Sequence, residues 1–191
     1  MARLNDYLIE LKIGKRPDVE KVFNLSLKEV FSLTFLSKIE NTIKKRIKIK
    51  EKISKDQNVV AWNTGTTIFI NKPVFYTKSL KQQMSYLLHE FVHVLHHSKS
   101  FFVIRNFKEM KQLSKKLWDI IEDNTRDKGM FLTGKRIDKK FLNSEETVSY
   151  LMNGSIKWNF ITSRGKLLFI NELKKSGMFN LSNQFWIKRL K

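Results

Sequence analysis

Apolar residues along this chain recur at two different spacings, and the changes between them suggest an α+β order. From Val30 onward, Leu33, Leu36, Ile39, Ile43 and Ile47 return every three or four residues, as one face of a helix does. Ser26 and Glu29 stand just before them at capping-box spacing. Together they predict a long helix from about 27 to 53, with lysines on its outer face. "NVVAWNTGTTIFIN" then brings β-branched and aromatic residues around a turn at Asn63–Gly65, which predicts a hairpin that Pro73 ends. A second capping box, Ser79 with Gln82, opens a helix expected to run to about Ser98. Leu80, Met84, Leu87, Leu88, Phe91, Val94 and Leu95 form its apolar side.

Further along, Asn106 and Glu109 start a third helix with the stripe Met110, Leu113, Leu117 and Ile121. Gly129 and Gly134 bracket a loop, and a fourth helix is expected from Asn143 or Ser144 to about Gly154. One more helix is expected around 164–175, followed by a tail packed by Phe179, Phe185 and Trp186. Residues 7–13, "YLIELKI", fit a short strand and the start of a helix equally well. Neither repeats nor linkers interrupt the chain. A length of 191 residues with 41% hydrophobic content then predicts one domain over 1–191.

Composition narrows the setting. No apolar run approaches the roughly 18 residues of a membrane span, and the charged opening lacks the apolar stretch of a signal peptide. Cysteine is absent, which excludes disulfides and thiolate metal sites. A cytoplasmic protein is the expectation, and the lysine- and asparagine-rich composition tilts towards a phage or viral source, hence host cytoplasm or virion. The formal net charge of +19 attracts nucleic acid or acidic protein. The basic residues are spread along the chain and densest in "KKRIKIKEKISK" (44–55), without a nucleic-acid-binding motif. Trp62, Trp118, Trp158 and Trp186 are too scattered for a base-stacking platform.

All four histidines lie within "HEFVHVLHH", residues 89–97. On a helix, His89 and His93 stand about 40° apart on one face, so both imidazoles can close on one cation. Glu90 lies about 60° round from His93, beside such an ion, where it can take a proton from an activated water. Two imidazoles need a third protein ligand to make a catalytic zinc site. His96 and His97 are carried too far along the helix axis to join His89. A carboxylate is therefore needed: Glu145 and Glu146, opening an apolar helix about fifty residues later, are the best-placed candidates, with Glu122 and Asp123 as contenders. Against this, "NSEE" also reads as a capping box, with Glu146 folding back on Asn143. Tyr86, His97 and Tyr150 are candidates for supporting roles around the ion.

An extended segment, a helix bearing "HEFVH" and a later helix bearing "EETVSYLMNGSI" resemble the glutamate-liganded zincin metallopeptidases, of the small phage and bacterial kind. The likeness spans about 66–98 and 143–156, and Ser149 stands where that family's downstream motif usually has alanine. The resemblance implies a zincin-like α+β fold, mostly helical, with a small sheet before the H-E-x-x-H helix. It further implies Zn²⁺ held by His89, His93 and Glu146, with Glu90 as general base in peptide hydrolysis. "TIFIN" would then be the edge strand that pairs with a peptide substrate, unless it is simply an internal strand. The basic surface favours acidic substrates and non-specific contact with nucleic acid. The rival reading is a basic nucleic-acid-binding or virion-associated protein whose H-E-x-x-H helix is structural or holds zinc without turnover.

Overall fold

A computed structural model describes residues 18–39, 47–97, 104–125 and 146–190. They form an α+β fold in which a small three-stranded sheet packs against helices. Helix α1 (Val19–Val30) starts at Asp18, whose carboxylate accepts from the Glu20 and Lys21 amides at 3.1 and 3.2 Å. Ser26 is not a cap: it is buried inside α1 and its hydroxyl donates to Val22 O at 2.6 Å.

The expected long helix does not exist. It breaks at Phe31, which is extended and bridges Phe179, and a second helix α2 (Leu33–Ile39) follows. The C-terminal tail causes the break by taking the hydrogen bonds the helix would need. Val30 O accepts from Asn180 N and from Trp186 Nε1, at 2.9 and 2.8 Å, and Ser32 N donates to Met178 O at 2.8 Å. Leu33, read as part of the core stripe, is 79% exposed.

Beyond it, Lys48–Lys52 is strand β1 rather than the end of a helix. In "IKIKEK" the apolar residues also alternate, and pairing along β3 selects that period over the helical one. Strand β2 (Ala61–Thr64) and strand β3 (Thr67–Asn71) make the hairpin, with the turn at Gly65–Thr66 and Thr64 opposite Thr67. Gly65 adopts φ +58°, which suits glycine in this two-residue turn. β1 pairs parallel to β3 on its other side, Ile49 opposite Ile68, giving the order β1-β3-β2. "TIFIN" is therefore the central strand and has no open edge, which excludes the substrate-edge reading and agrees with the internal-strand one. Pro73 does end it, inside the short helix α3 (Lys72–Phe75).

Helix α4 (Leu80–His97) carries the histidines, and the capping box at its start is present. Gln82 Oε1 accepts from Ser79 N at 3.0 Å, and Gln82 N donates to Ser79 Oγ at 3.4 Å. Helix α5 (Ile104–Asn124) starts two residues before the expected Asn106 and buries Met110, Leu113, Leu117 and Ile121. Helix α6 (Thr147–Asn153) ends at Gly154, whose φ of +75° is the left-handed conformation that glycine adopts readily. Helix α7 (Ser163–Ser176) and helix α8 (Gln184–Arg189) complete the order. Trp186 is fully buried and its ring meets Phe179 and Phe185, as the packed tail predicts.

The buried apolar side chains form one cluster, with α4 at its centre. α4 packs against α1, α5, α6 and the β2–β3 hairpin. Phe91 on its inner side meets Phe23 and Phe31 edge-on, with ring centroids 5.6 and 5.5 Å apart. Among the described residues no helix is long and apolar enough to cross a membrane. Segment 7–13, Glu145, Asn143, Ser144 and the Gly129–Gly134 loop lie outside the described residues.

Candidate metal centre

With its apolar side fixed against Phe23 and Phe31, α4 turns His89 and His93 towards the first turn of α6. Their Nε2 atoms are 3.0 Å apart. Glu146, at the N-terminus of α6, brings Oε2 to 3.2 Å from His93 Nε2 and 4.0 Å from His89 Nε2. Its backbone is near-helical (φ −78°, ψ −15°) and its carboxylate makes no cap to its own helix, so the carboxylate is turned to the histidines. Glu122 and Asp123 are not part of this group, and the His97 side chain lies outside the described residues.

Nδ1 of His89 lies 3.0 Å from Ser149 O and 3.1 Å from Asn153 Nδ2. The Asn153 amide is oriented by its own Oδ1, which accepts from Ser155 N at 3.0 Å. The two contacts favour opposite tautomers. A carbonyl can only accept, so Ser149 favours a proton on Nδ1; an amide NH₂ can only donate, so Asn153 favours a bare Nδ1. The first arrangement turns the Nε2 lone pair towards His93 and Glu146, and it is the one a cation selects.

Burial, with His93 nearby, lowers the pKa of His89 to about 4, so the ring is neutral at pH 7, the ligating form. Burial raises Glu146, but its hydrogen bond to His93 and the His93, His89 and His96 imidazoles outweigh it, leaving the carboxyl below its ordinary range. Glu90, 8% exposed, is pushed up to about 7 by burial; His93 pulls it down and Glu146 pushes it up. Two carboxyls in one small site are thus separated: Glu146 is ionised and Glu90 is poised near neutrality. Burial, reinforced by Glu146, also pushes Tyr150 up, so it remains a protonated donor; its ring centroid is 6.3 Å from that of His89.

The geometry fits a cation. Zinc–ligand bonds of about 2.0–2.1 Å in a tetrahedron place donor atoms about 3.3 Å from one another. The three observed separations, 3.0, 3.2 and 4.0 Å, bracket that value. All three donor atoms lie within 4.8 Å of one another, and His89, His93 and Glu146 could hold a metal ion. Two imidazoles and one carboxylate are donors that zinc accepts.

Some participants were not foreseen in the sequence. Ser149 contributes only its backbone, which no side-chain motif can announce. Asn153 had a signal: Glu146, Ser149 and Asn153 recur at i, i+3 and i+7 along one polar side of α6. His96, too far along the axis to be a ligand, is 3% exposed and its Nε2 lies 3.3 Å from Ser114 Oγ on α5.

No family model matches this chain, no curated protein matches it, and no solved structure matches its fold.

Proposed function

We propose that this chain is a zinc-dependent peptidase of zincin type, with His89, His93 and Glu146 as ligands and Glu90 as the general base. The observation that carries the proposal is the convergence of two imidazole nitrogens and a carboxylate oxygen from two helices, with a buried glutamate directly following the first histidine. A sheet preceding the H-E-x-x-H helix, and that helix packed against the one bearing Glu146, support the zincin comparison.

When bound, zinc supplies Lewis acidity, which polarises a carbonyl and acidifies water. The protein's own groups do the rest. Ser149 O holds the His89 ring in the tautomer that offers Nε2 outward. Glu90, with a pKa near 7, accepts a proton from water and returns it to the departing amine, so no covalent intermediate with the protein is required. Tyr150, whose ring centroid is 6.3 Å from that of His89, is protonated throughout the neutral range.

Elemental analysis of protein purified without added metal tests the site, run beside His93→Ala and Glu146→Ala. One equivalent of zinc, lost in both variants, is expected. Zinc retained by Glu146→Ala would move the third-ligand role elsewhere, with Glu145 first in line. The exposed lysines of β1, at positions 48, 50 and 52, favour a second reading in which the chain binds nucleic acid. Tight, steeply salt-dependent DNA or RNA binding by zinc-free protein would favour it.

A further inference from the structure

We infer that Arg189, together with Lys81, forms a carboxylate-binding subsite for the peptide substrate, one helical turn from the histidine pair. This rests on the peptidase reading and names the chemistry recognised: a carboxylate on the peptide, at its chain end or on an acidic side chain.

Arg189 is fastened from several directions. Its Nη2 donates to Ser85 Oγ at 2.6 Å, across 104 residues of chain. Its guanidinium lies over the Phe185 ring, 4.4 Å from the centroid. Trp158 Nε1 donates to its backbone carbonyl. Gly154 makes the room, because a Cβ there would collide with Nη1. Burial lowers its pKa to about 10, so it is charged at pH 7.

Among the described residues no anion stands beside this guanidinium. Among the described residues Ser85 Oγ is the only acceptor for its side chain, and no carboxylate pairs with it. Arginine carries five N–H donors in a fork that matches a carboxylate, and withdrawing such a cation from water without a partner is costly. Structural arginines are ordinarily paired; one that is pinned, half-buried and still facing a groove is poised for a ligand.

Its surroundings say what kind. Arg189, Lys81 and Gly154 form the wall shared by two cavities. The polar one, about 540 Å³, is lined by Ser85, Tyr86 and Asn153. The apolar one, about 410 Å³, is lined by Met84, Leu151, Ile156 and Trp158. Among the described residues Glu29 is the one carboxylate on these walls, on the apolar side, where Lys188 adds a further cation.

The Asn153 amide on the wall of the polar cavity is 3.1 Å from His89 Nδ1, so this cavity adjoins the side of the His89 ring opposite its Nε2. Ser85 precedes His89 by one turn, about 6 Å along the axis of α4. Extended peptide advances about 3.3 Å per residue. A carboxylate seated on Arg189 therefore lies within about one or two extended residues of the His89 ring. The apolar cavity is open to a neighbouring side chain.

NMR titration of the zinc-loaded protein tests this with three small probes: N-acetyl-leucine, N-acetyl-leucinamide and the α-amide of N-acetyl-glutamic acid. Shifts of the Gly154 amide and the Arg189 Nε–Hε signal are expected with the first probe, at least about tenfold tighter than with the neutral amide. Discrimination by the glutamic-acid probe instead assigns the site to an acidic side chain. Arg189→Met should abolish the preference, and exposed Lys81→Gln, which leaves the core untouched, should weaken it severalfold. Equal affinities for all three probes, or shifts spread over surface lysines with none at Gly154 and Arg189, overturn the subsite. Parallel zinc analysis separates the two proposals. Zinc bound without carboxylate preference removes the subsite alone; preference without zinc removes the peptidase reading and, with it, the subsite's assigned role.

Discussion

On one side of α4, Leu87, Leu88, Phe91, Val94 and Leu95 are wholly buried in the core. On the other, Glu90 and His93 are each only 8% exposed, but they face Glu146 and α6. Both sides are withdrawn from water, with opposite energetic consequences. Burial of the apolar side stabilises the fold by about 25 cal/mol per Å². Burial of the other side raises Glu90 to about 7 and lowers His89 to about 4, so the fold bears a desolvation cost there. A cation between three converging donors would offset that cost, and the apolar side holds the donors in place until it does.

Substitutions on the two sides should therefore separate chemistry from stability. The largest effect is expected for Glu90→Gln: hydrolysis falls by about 10²–10⁴-fold while the zinc content stays at one equivalent. Loss of zinc in that variant would make Glu90 a ligand. Leu88→Ala, on the buried side, should destabilise the protein by about 2–5 kcal/mol in denaturant titration, with zinc stoichiometry unchanged in the folded fraction. A variant that unfolds no more easily but loses zinc would mean the two sides are not independent.

Removing the metal exposes the cost itself. In metal-free protein the raised Glu90 contributes stability below its ordinary pKa of 4.5, and loses it as pH rises through about 7. His89, lowered from 6.5 to about 4, runs oppositely: its contribution is present above 6.5 and lost as pH falls through 4. Metal-free Glu90→Gln should thus match the parent near pH 4 and exceed it near pH 8 by about 3 kcal/mol. Stability curves that stay parallel from pH 4 to 8 would remove the claim that Glu90 is strained by burial. The smallest effect is expected for Asn153→Asp. A carboxylate accepting from His89 Nδ1–H should tighten zinc binding by up to about tenfold, readable by competition with a chelator.

Legibility varied with the range of the interactions concerned. The capping box at Ser79, the length of α4 and its apolar stripe depend on residues within four positions, and all were readable. The first helix was misread because a helical stripe and an alternating one overlap over Ile47–Ile53, and sequence spacing does not say which neighbour supplies the hydrogen bonds. Phe31 shows the same limit. Its break is imposed by Asn180, Met178 and Trp186, some 150 residues away in sequence. "TIFIN" was read correctly as a strand, but its central place depends on β1 arriving in parallel beside it.

By itself the sequence determined that one helix would carry two imidazoles and a glutamate on one side and a packing surface on the other, because backbone hydrogen bonds four residues apart impose that period. Only the tertiary structure decided which carboxylate meets the imidazoles, how the Nδ1 of His89 is held, and that Arg189 reaches Ser85. Those meetings join residues 53 to 104 positions apart. They depend on which apolar faces bury one another, a choice made by the whole core and written in no single stretch of chain.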